Sequence, residues 1–229
     1  MLLHIPRVLT AEQVAQCKET LGGAEWVDGK TTAGIEATKA KNNMQVSAND
    51  PAARKLGEMI LRALYSNALF LSAAMPLEVL PPMFNRYQGG QSYGGHFDAA
   101  LMQVPGSQHR LRTDLSATLF LSEPDEYDGG ELTLEGVHGG QQIKLPAGDM
   151  VIYPASSLHH VQPVTRGVRL ASIFWIQSLV RNDDDRQILL DLDIAIHRIR
   201  NANPDDPSIL SLTGIYHNLL RAGGPRPSQ

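Results

Sequence analysis

The spacing of apolar positions along the chain changes character twice. In the first third the period is helical. Val14, Cys17 and Leu21 recur at i, i+3 and i+7 and form one apolar face. Thr10-Ala11-Glu12-Gln13 ahead of them has the form of a capping box, with Thr10 as N-cap and Gln13 reaching back. A helix is therefore predicted up to about Leu21, stopping at Gly22-Gly23, and Cys17 is expected as a small packed side chain rather than a reactive thiol. A second stripe, Leu56, Met59, Ile60, Ala63 and Leu64, predicts another amphipathic helix opening at Asp50-Pro51, with proline at the first helical position. Leu3 to Leu9, Glu25 to Val27 and Met44 to Val46 read as short extended segments. The polar, glycine-bearing stretch from Asp28 to Asn43 shows no period and reads as a surface connection.

From Leu77 onward short apolar runs alternate with turn residues. Residues 82–87, 115–121, 131–134, 142–145, 150–153 and 168–176 read as strands. Asp128-Gly129-Gly130, Gly139-Gly140 and Pro146-Ala147-Gly148-Asp149 punctuate them. Strands of this length and spacing predict a mainly β protein with flanking helices (α+β), its core a double-sheet jelly roll. After Gln177 the helical period returns. Asp183-Asp184-Asp185 suits the positive N-terminus of a helix, Pro204 and Pro207 flank a turn, and Ser208 to Leu220 reads as a last helix before an end expected to fray from Gly223. Three parts are expected: a helical and strand support region over 1–77, the β core over 78–178, and a C-terminal helical segment over 179–229.

Composition narrows the partners. The 229 residues are 42% hydrophobic and 19% charged, as expected of one globular domain with at most a small appendage. A net charge of −4 offers no basic field for nucleic acid or an anionic membrane surface. No apolar run is long enough to span a bilayer, and Met1 to Pro6 lacks the apolar core of a secretion signal. A single cysteine excludes an internal disulfide and a cysteine-built zinc cage, and fits a reducing cytoplasm.

The chemistry concentrates in Tyr87-Gln88-Gly89-Gly90-Gln91-Ser92-Tyr93-Gly94-Gly95-His96-Phe97-Asp98. On extended chain the imidazole of His96 and the carboxylate of Asp98, two positions apart, project from the same face. Two ligands cannot close a metal site, and a third is available in Ser157-Leu158-His159-His160. Two histidines and one carboxylate make the facial triad that leaves coordination positions open and suits non-haem Fe(II). Arg169, on a later strand of the same core, is a cation that burial would penalise unless an anion met it. A small dicarboxylate would meet it with a two-pronged contact.

Taken together, Tyr87, Tyr93, His96-Phe97-Asp98, Gly129-Gly130-Glu131-Leu132, Pro146-Ala147-Gly148-Asp149 and the run from His159 through Val161, Pro163-Val164 and Gly167 to Arg169 resemble the Fe(II)/2-oxoglutarate dioxygenases of the prolyl hydroxylase type. Within these the chain is most similar to the bacterial PKHD-type hydroxylases, a likeness that continues through Trp175 to Arg181 and into Asp191-Leu192-Asp193. The resemblance implies a double-stranded β-helix holding Fe(II) by His96, Asp98 and His159, the last chosen over His160 by its distance from the basic anchor. It implies Arg169 as the anchor of the 2-oxoglutarate distal carboxylate and Tyr87 near the co-substrate. Some relatives carry a tyrosine on the strand that here reads Thr118-Leu119-Phe120, so the Thr118 hydroxyl is the candidate second contact. The implied reaction hydroxylates a C–H bond while O₂ and 2-oxoglutarate give succinate and CO₂, with L-ascorbate keeping the iron reduced. The substrate would be a small molecule or a peptide, prolyl- or lysyl-like or related to siderophores and iron uptake. The C-terminal helices could cap the barrel, shape a substrate entrance or form a homodimer contact. Two other readings use the same residues: a cupin-like metal and 2-oxoglutarate sensor without turnover, and a zinc hydrolase, which leaves Arg169 without a reason.

Overall fold

The computed structural model describes residues 1–32, 35–47, 50–136 and 139–223; the end expected to fray, beyond Gly223, lies outside them. The chain begins with β1 (Leu3–Ile5), α1 (Ala11–Gly22), β2 (Trp26–Asp28), a 3-10 turn (Gly29–Thr32), α2 (Ile35–Ala40), β3 (Lys41–Asn42), β4 (Met44–Val46), α3 (Pro51–Tyr65) and α4 (Ala68–Ala74). It continues with β5 (Pro76–Val79), β6 (Met83–Gln88), β7 (Ser92–His96), β8 (Leu101–Gln103), β9 (Arg110–Arg112), β10 (Leu115–Phe120), β11 (Tyr127–Gly129) and β12 (Leu132–Leu134). The last elements are β13 (Gln141–Ile143), β14 (Met150–Pro154), β15 (His159–Val161), β16 (Val164–Ser178), α5 (Asp183–Ala202) and α6 (Ser208–Gly223).

Two antiparallel sheets form the expected jelly roll. The larger runs β1-β14-β10-β16-β6-β4-β2, with β5 and β11 also paired to β16; the smaller runs β13-β12-β15-β7-β3. Alternation along the strands of the larger sheet explains its two faces. Leu115, Ala117 and Leu119 of β10 join Met150 and Ile152 of β14, and Phe174 and Ile176 of β16, in a core that includes Val14, Cys17, Leu21, Leu56, Ile60 and Phe70 from the helices. The intervening residues Phe120, Val151, Tyr153 and Tyr87 face the smaller sheet, with Leu132, Leu134 and Val161. All six residues of β10 are buried, as a strand covered on both faces requires.

The helix starts follow their local chemistry. The Thr10 hydroxyl accepts from Gln13 N at 3.3 Å, and the Gln13 side chain accepts from Thr10 N at 2.9 Å, completing the capping box. Asp50 caps α3 by accepting from Ala52 N at 2.7 Å, with Pro51 at the first position. Cys17 is fully buried, which pushes its thiol up to about 11. At α5 the three aspartates do occupy the first turn, behind an Asn182 cap.

The segment expected to be a connection, 28–43, instead forms the 3-10 turn, α2 and β3. Pairing Lys41↔Tyr93 and Asn42↔Ser92 draws it onto the smaller sheet. Three further elements carry no clear signal in the sequence: the seven-residue α4, capped by Asn67, and the β8–β9 hairpin just after the His96–Asp98 motif. Among the described residues no helix is long and apolar enough to cross a membrane.

Candidate metal centre

The site is assembled by strand pairing between segments more than sixty residues apart. β7 and β15 are neighbours in the smaller sheet, and His96 lies directly opposite His159. Directly opposed residues in an antiparallel pair bring their side chains within contact range. The register slips beside this pair: Tyr93 faces Val161, so three steps on β7 match two on β15. Such a bulge places an extra residue in one strand and turns the following side chain to the other face. Tyr93 and His96 consequently share a face, and their rings stack with centroids 3.6 Å apart and planes 15° apart. Gly94 and Gly95 make up the bulged segment, and at Gly94 a Cβ would stand 3.1 Å from the Cβ of Ala40, so a side chain there would press the neighbouring segment back by a few tenths of an ångström.

β7 ends at His96, so Asp98 projects from the coil beyond the strand rather than from the strand itself. It still reaches the two imidazoles. One ligand atom from each of His96, Asp98 and His159 lies within 4.8 Å of the others. Asp98 Oδ2 is 3.9 Å from His159 Nε2, and the Asp98 and His159 side chains are only 8% and 6% exposed. Each imidazole is oriented from behind: His96 Nδ1 hydrogen-bonds the Gly94 carbonyl at 2.8 Å and His159 Nδ1 the Ser157 carbonyl at 3.0 Å. A ring whose Nδ1–H donates to a carbonyl presents Nε2 as a lone-pair donor, the arrangement metal-binding histidines use. Burial, and then the neighbouring imidazole, hold His96 below the usual histidine range, which favours the neutral, ligating form. The Ser116 hydroxyl donates to Asp98 Oδ2 and fixes that carboxylate. This donor set, with imidazole and carboxylate converging from one side, fits a hard-to-borderline divalent metal with open positions.

Arg169, Tyr87 and Thr118 line the same cavity as the three ligand candidates. Arg169 is 2% exposed, opposite Tyr87 in the β16–β6 pairing, with its guanidinium 5.3 Å from the Tyr87 ring and 5.4 Å from that of Phe120. Among the described residues no carboxylate forms an ion pair with it, and its Nε is buried without a hydrogen-bond partner. A buried cation in that state is stabilised by an incoming anion. Tyr87 is buried, and burial raises its phenol while Arg169 pulls the other way, so it stays a neutral hydroxyl. Thr118 is 3% exposed on the same face of β10 as Ser116. His160 points elsewhere, with Nδ1 3.4 Å from Glu135 Oε1.

Several cavity residues escape sequence reasoning. Tyr153, from β14 beside β10, brings a phenol to the region where the Thr118 strand has none; its ring meets His159 edge-on at 5.2 Å. Trp175 and Met102 also line the cavity, as does Lys41 from β3. The signal for Tyr153 and Trp175 is the alternation of β14 and β16, legible once the inward face is known. Nothing in the neighbourhood of Lys41 marks it in advance.

Comparison with known proteins follows this geometry. Residues 82–177 match the model of the 2OG-Fe(II) oxygenase superfamily, and residues 183–222 that of the PKHD-type hydroxylase C-terminal domain. A PKHD-type hydroxylase of Saccharophagus degradans is 57% identical over 221 residues, covering 96% of this chain and 98% of the relative. Among solved structures, a prolyl-4-hydroxylase of Pseudomonas putida superposes with a TM-score of 0.51 at 20% identity, over 77% of this chain and 92% of that one. A prolyl hydroxylase of Trichoplax adhaerens, solved with a peptide of hypoxia-inducible factor, gives 0.54 at 15% identity, over 82% and 86%. These structural likenesses are likenesses of fold.

Proposed function

The chain belongs to the PKHD-type hydroxylases of the 2OG-Fe(II) oxygenase superfamily, and on that premise we propose that His96, Asp98 and His159 hold its Fe(II) and that Arg169 anchors the distal carboxylate of 2-oxoglutarate. The observation that carries this reading is the convergence, in one buried cavity, of three ligand atoms within 4.8 Å and a guanidinium lacking a carboxylate partner among the described residues. The bound iron supplies O₂ activation coupled to decarboxylation of 2-oxoglutarate, giving succinate, CO₂ and a hydroxylated product.

The protein's own part is positional. The Gly94 and Ser157 carbonyls hold the Nε2 atoms of His96 and His159 toward the site, and Ser116 holds Asp98. Arg169 draws the distal end of the co-substrate against Tyr87 and Phe120, with Tyr87, Thr118 and Tyr153 supplying hydroxyls nearby. The apolar walls from Met83, Ile173 and Trp175 exclude water around the reacting carbon. The substrate is a small molecule or peptide side group, prolyl- or lysyl-like or connected with iron uptake, and L-ascorbate serves as the auxiliary reductant. The sensor reading uses the same contacts without turnover.

The test is anaerobic loading with Fe(II) and 2-oxoglutarate followed by exposure to O₂. Succinate formation, and a gain of one oxygen atom in a candidate substrate by mass spectrometry, are expected. A protein that binds both and never forms succinate, alone or with any substrate, is the sensor.

A further inference from the structure

The face of the larger sheet turned away from the metal cavity carries a second hollow. α1 and α3 pack on that face through Val14, Cys17, Leu56 and Ile60, and between these helices and the turn after β1 lies a cleft of about 590 Å³. Pockets that hold small ligands commonly have volumes of about 300–1,000 Å³. The cleft shares no lining residue with the metal cavity. Its floor is apolar, with Val8, Leu56 and Met59 buried. Its rim is cationic: Arg7 comes from the turn, Lys55 and Arg62 from α3, and among the described residues none that lines the cleft is acidic. Seven positions separate Lys55 from Arg62, which sets them about 10 Å apart along the helix axis. Such a gathering runs against a chain whose net charge is −4.

We propose that this cleft binds an organic polyanion, with an apolar body seated on Val8, Leu56 and Met59 and two or more phosphate or carboxylate groups reaching Arg7, Lys55 and Arg62. The site is separate from the iron and 2-oxoglutarate chemistry and stands or falls independently of it.

Three observations carry it. The first is that the cations are available. Among the described residues no carboxylate pairs with the side chain of Arg7 or Lys55. Arg62 meets only Glu58, at 4.0 Å, with the two side chains 72% and 61% exposed, and a pair so long and so wet holds its guanidinium weakly. The second is the backbone of Arg7. Its φ is +51°, in the left-handed region where glycine sits without the crowding a side chain brings. The Asp149 carboxylate accepts from the Arg7 N–H at 2.8 Å and holds the turn in that shape. Glycine would meet the demand of the turn more easily, so the arginine is explained by its side chain and not by the turn. The third is the pairing of charge with an apolar floor. A guanidinium grips an oxyanion by two parallel N–H donors and an ammonium acts as a point charge. Exposed contacts of this kind are individually weak, so a ligand must engage several at once, which selects a polyanion over a monoanion. Val8, Leu56 and Met59 reward an organic body over a free inorganic ion. Gln13 and Gln16 of α1 add amide N–H donors on the facing wall.

The experiment titrates the full chain, with no metal added, by calorimetry and by backbone amide resonances. The probes are ATP beside adenosine and benzenetricarboxylate beside its triamide, so that a phosphate ligand and a carboxylate ligand are told apart. At least one polyanion is expected to bind with a Kd below about 1 mM at low ionic strength while its neutral parent does not. The amides it moves are expected in the stretches 7–16 and 55–67, and the binding to weaken as salt is raised from about 0.02 to about 0.2 M. Arg62→Gln is expected to weaken it about threefold, and Arg7→Gln, Lys55→Gln and Arg62→Gln combined to abolish it. Arg54→Gln, which removes a cation of α3 outside the cleft, is expected to bind as the unaltered protein does. The proposal is overturned if neither polyanion binds, if the neutral parents bind equally, if the moved amides lie along the metal cavity instead, or if Arg54→Gln costs as much as Arg62→Gln. The amide map is read on the unaltered protein, so it stands even if a variant fails to fold. Loss of metal or 2-oxoglutarate binding plays no part in these readouts, so a failure of the proposal leaves the iron reading untouched.

Discussion

At the scale of single residues the site separates two jobs that mutagenesis can take apart. His96, Asp98 and His159 offer the ligand atoms, and Arg169 sits on the facing sheet with no ligand geometry of its own. Replacing His96 or Asp98 by Ala is therefore expected to abolish iron-dependent succinate formation, measured after anaerobic reconstitution; turnover retained in either variant removes that residue from the triad. Arg169→Ala is expected to raise the 2-oxoglutarate dissociation constant by about 10- to 100-fold, the worth of a charge-assisted contact of roughly 1.5–3 kcal/mol. Iron affinity, measured by titration in the absence of the co-substrate, should stay within about threefold. Equal losses of both would make Arg169 a packing residue. Ser116 supplies the intermediate case, since it donates to Asp98 and is not itself one of the three candidate ligands. Outer partners of ligands typically govern about 10- to 100-fold in metal affinity. Ser116→Ala is thus expected to weaken Fe(II) measurably but less than Asp98→Ala does.

At the scale of elements, backbone geometry decides which of these residues meet. The histidines and Arg169 were legible because their chemistry is rare in a β core: an imidazole and a carboxylate in a glycine-rich setting, and a guanidinium on an inward strand. Lys41, by contrast, sits on a strand of two residues, too short for any alternation to register. It reaches the cavity only because β3 lands beside Tyr93, a pairing between residues fifty-two positions apart (93 − 41). Tyr153 and α4 were missed for similar reasons, the first because its face depends on tertiary pairing, the second because one short apolar run fits strand and helix alike. Asp98 was expected on a strand and lies just past one, an outcome the bulge at Gly94-Gly95 helps explain, since it uses up a position before the ladder ends. A similar backbone demand sits at Gly167, two positions before Arg169. Its φ is +70°, and a Cβ there would lie 2.0 Å from the Glu126 carbonyl oxygen. Gly167→Ala is expected to cost about 2–3 kcal/mol, and roughly 5–10 °C in melting temperature for a chain of this size. Because β16 carries Arg169, the same variant should also weaken 2-oxoglutarate. A variant that melts like the unaltered protein would mean that the β11–β16 approach relaxes freely.

At the scale of the whole molecule, the question is how the C-terminal helices are tied to a barrel that already contains every candidate ligand. The connection is polar and concentrated. Arg186 of α5 is 1% exposed; it donates to Asp183 Oδ1 at 2.7 Å and to the Val180 and Arg181 carbonyls at 2.8 and 3.0 Å. The other Asp183 oxygen meets the amino group of Met1, so one carboxylate links the start of the chain to the start of α5. A further link runs from Ser72 of α4 to Asp193 at 2.7 Å. α6 has no buried residue and leans mainly on α5. Removing the Asp183 charge strands a buried guanidinium, and an unmatched buried charge costs about 3–5 kcal/mol when its partner is fully buried. Asp183 is 35% exposed, which lets water screen the loss, so about 1–2 kcal/mol is expected for Asp183→Asn. The loss should fall on one part of the molecule. Hydrogen exchange should rise through α5 and α6 while β10, buried on both faces, keeps its protection. Fe(II) affinity should be unchanged, since His96, Asp98 and His159 are joined by β7–β15 pairing that Asp183 does not touch. Exchange rising equally in β10 would show instead that the helical pair and the barrel unfold as one cooperative unit. In that case the C-terminal segment would stabilise the metal site and not merely cover the fold beside it.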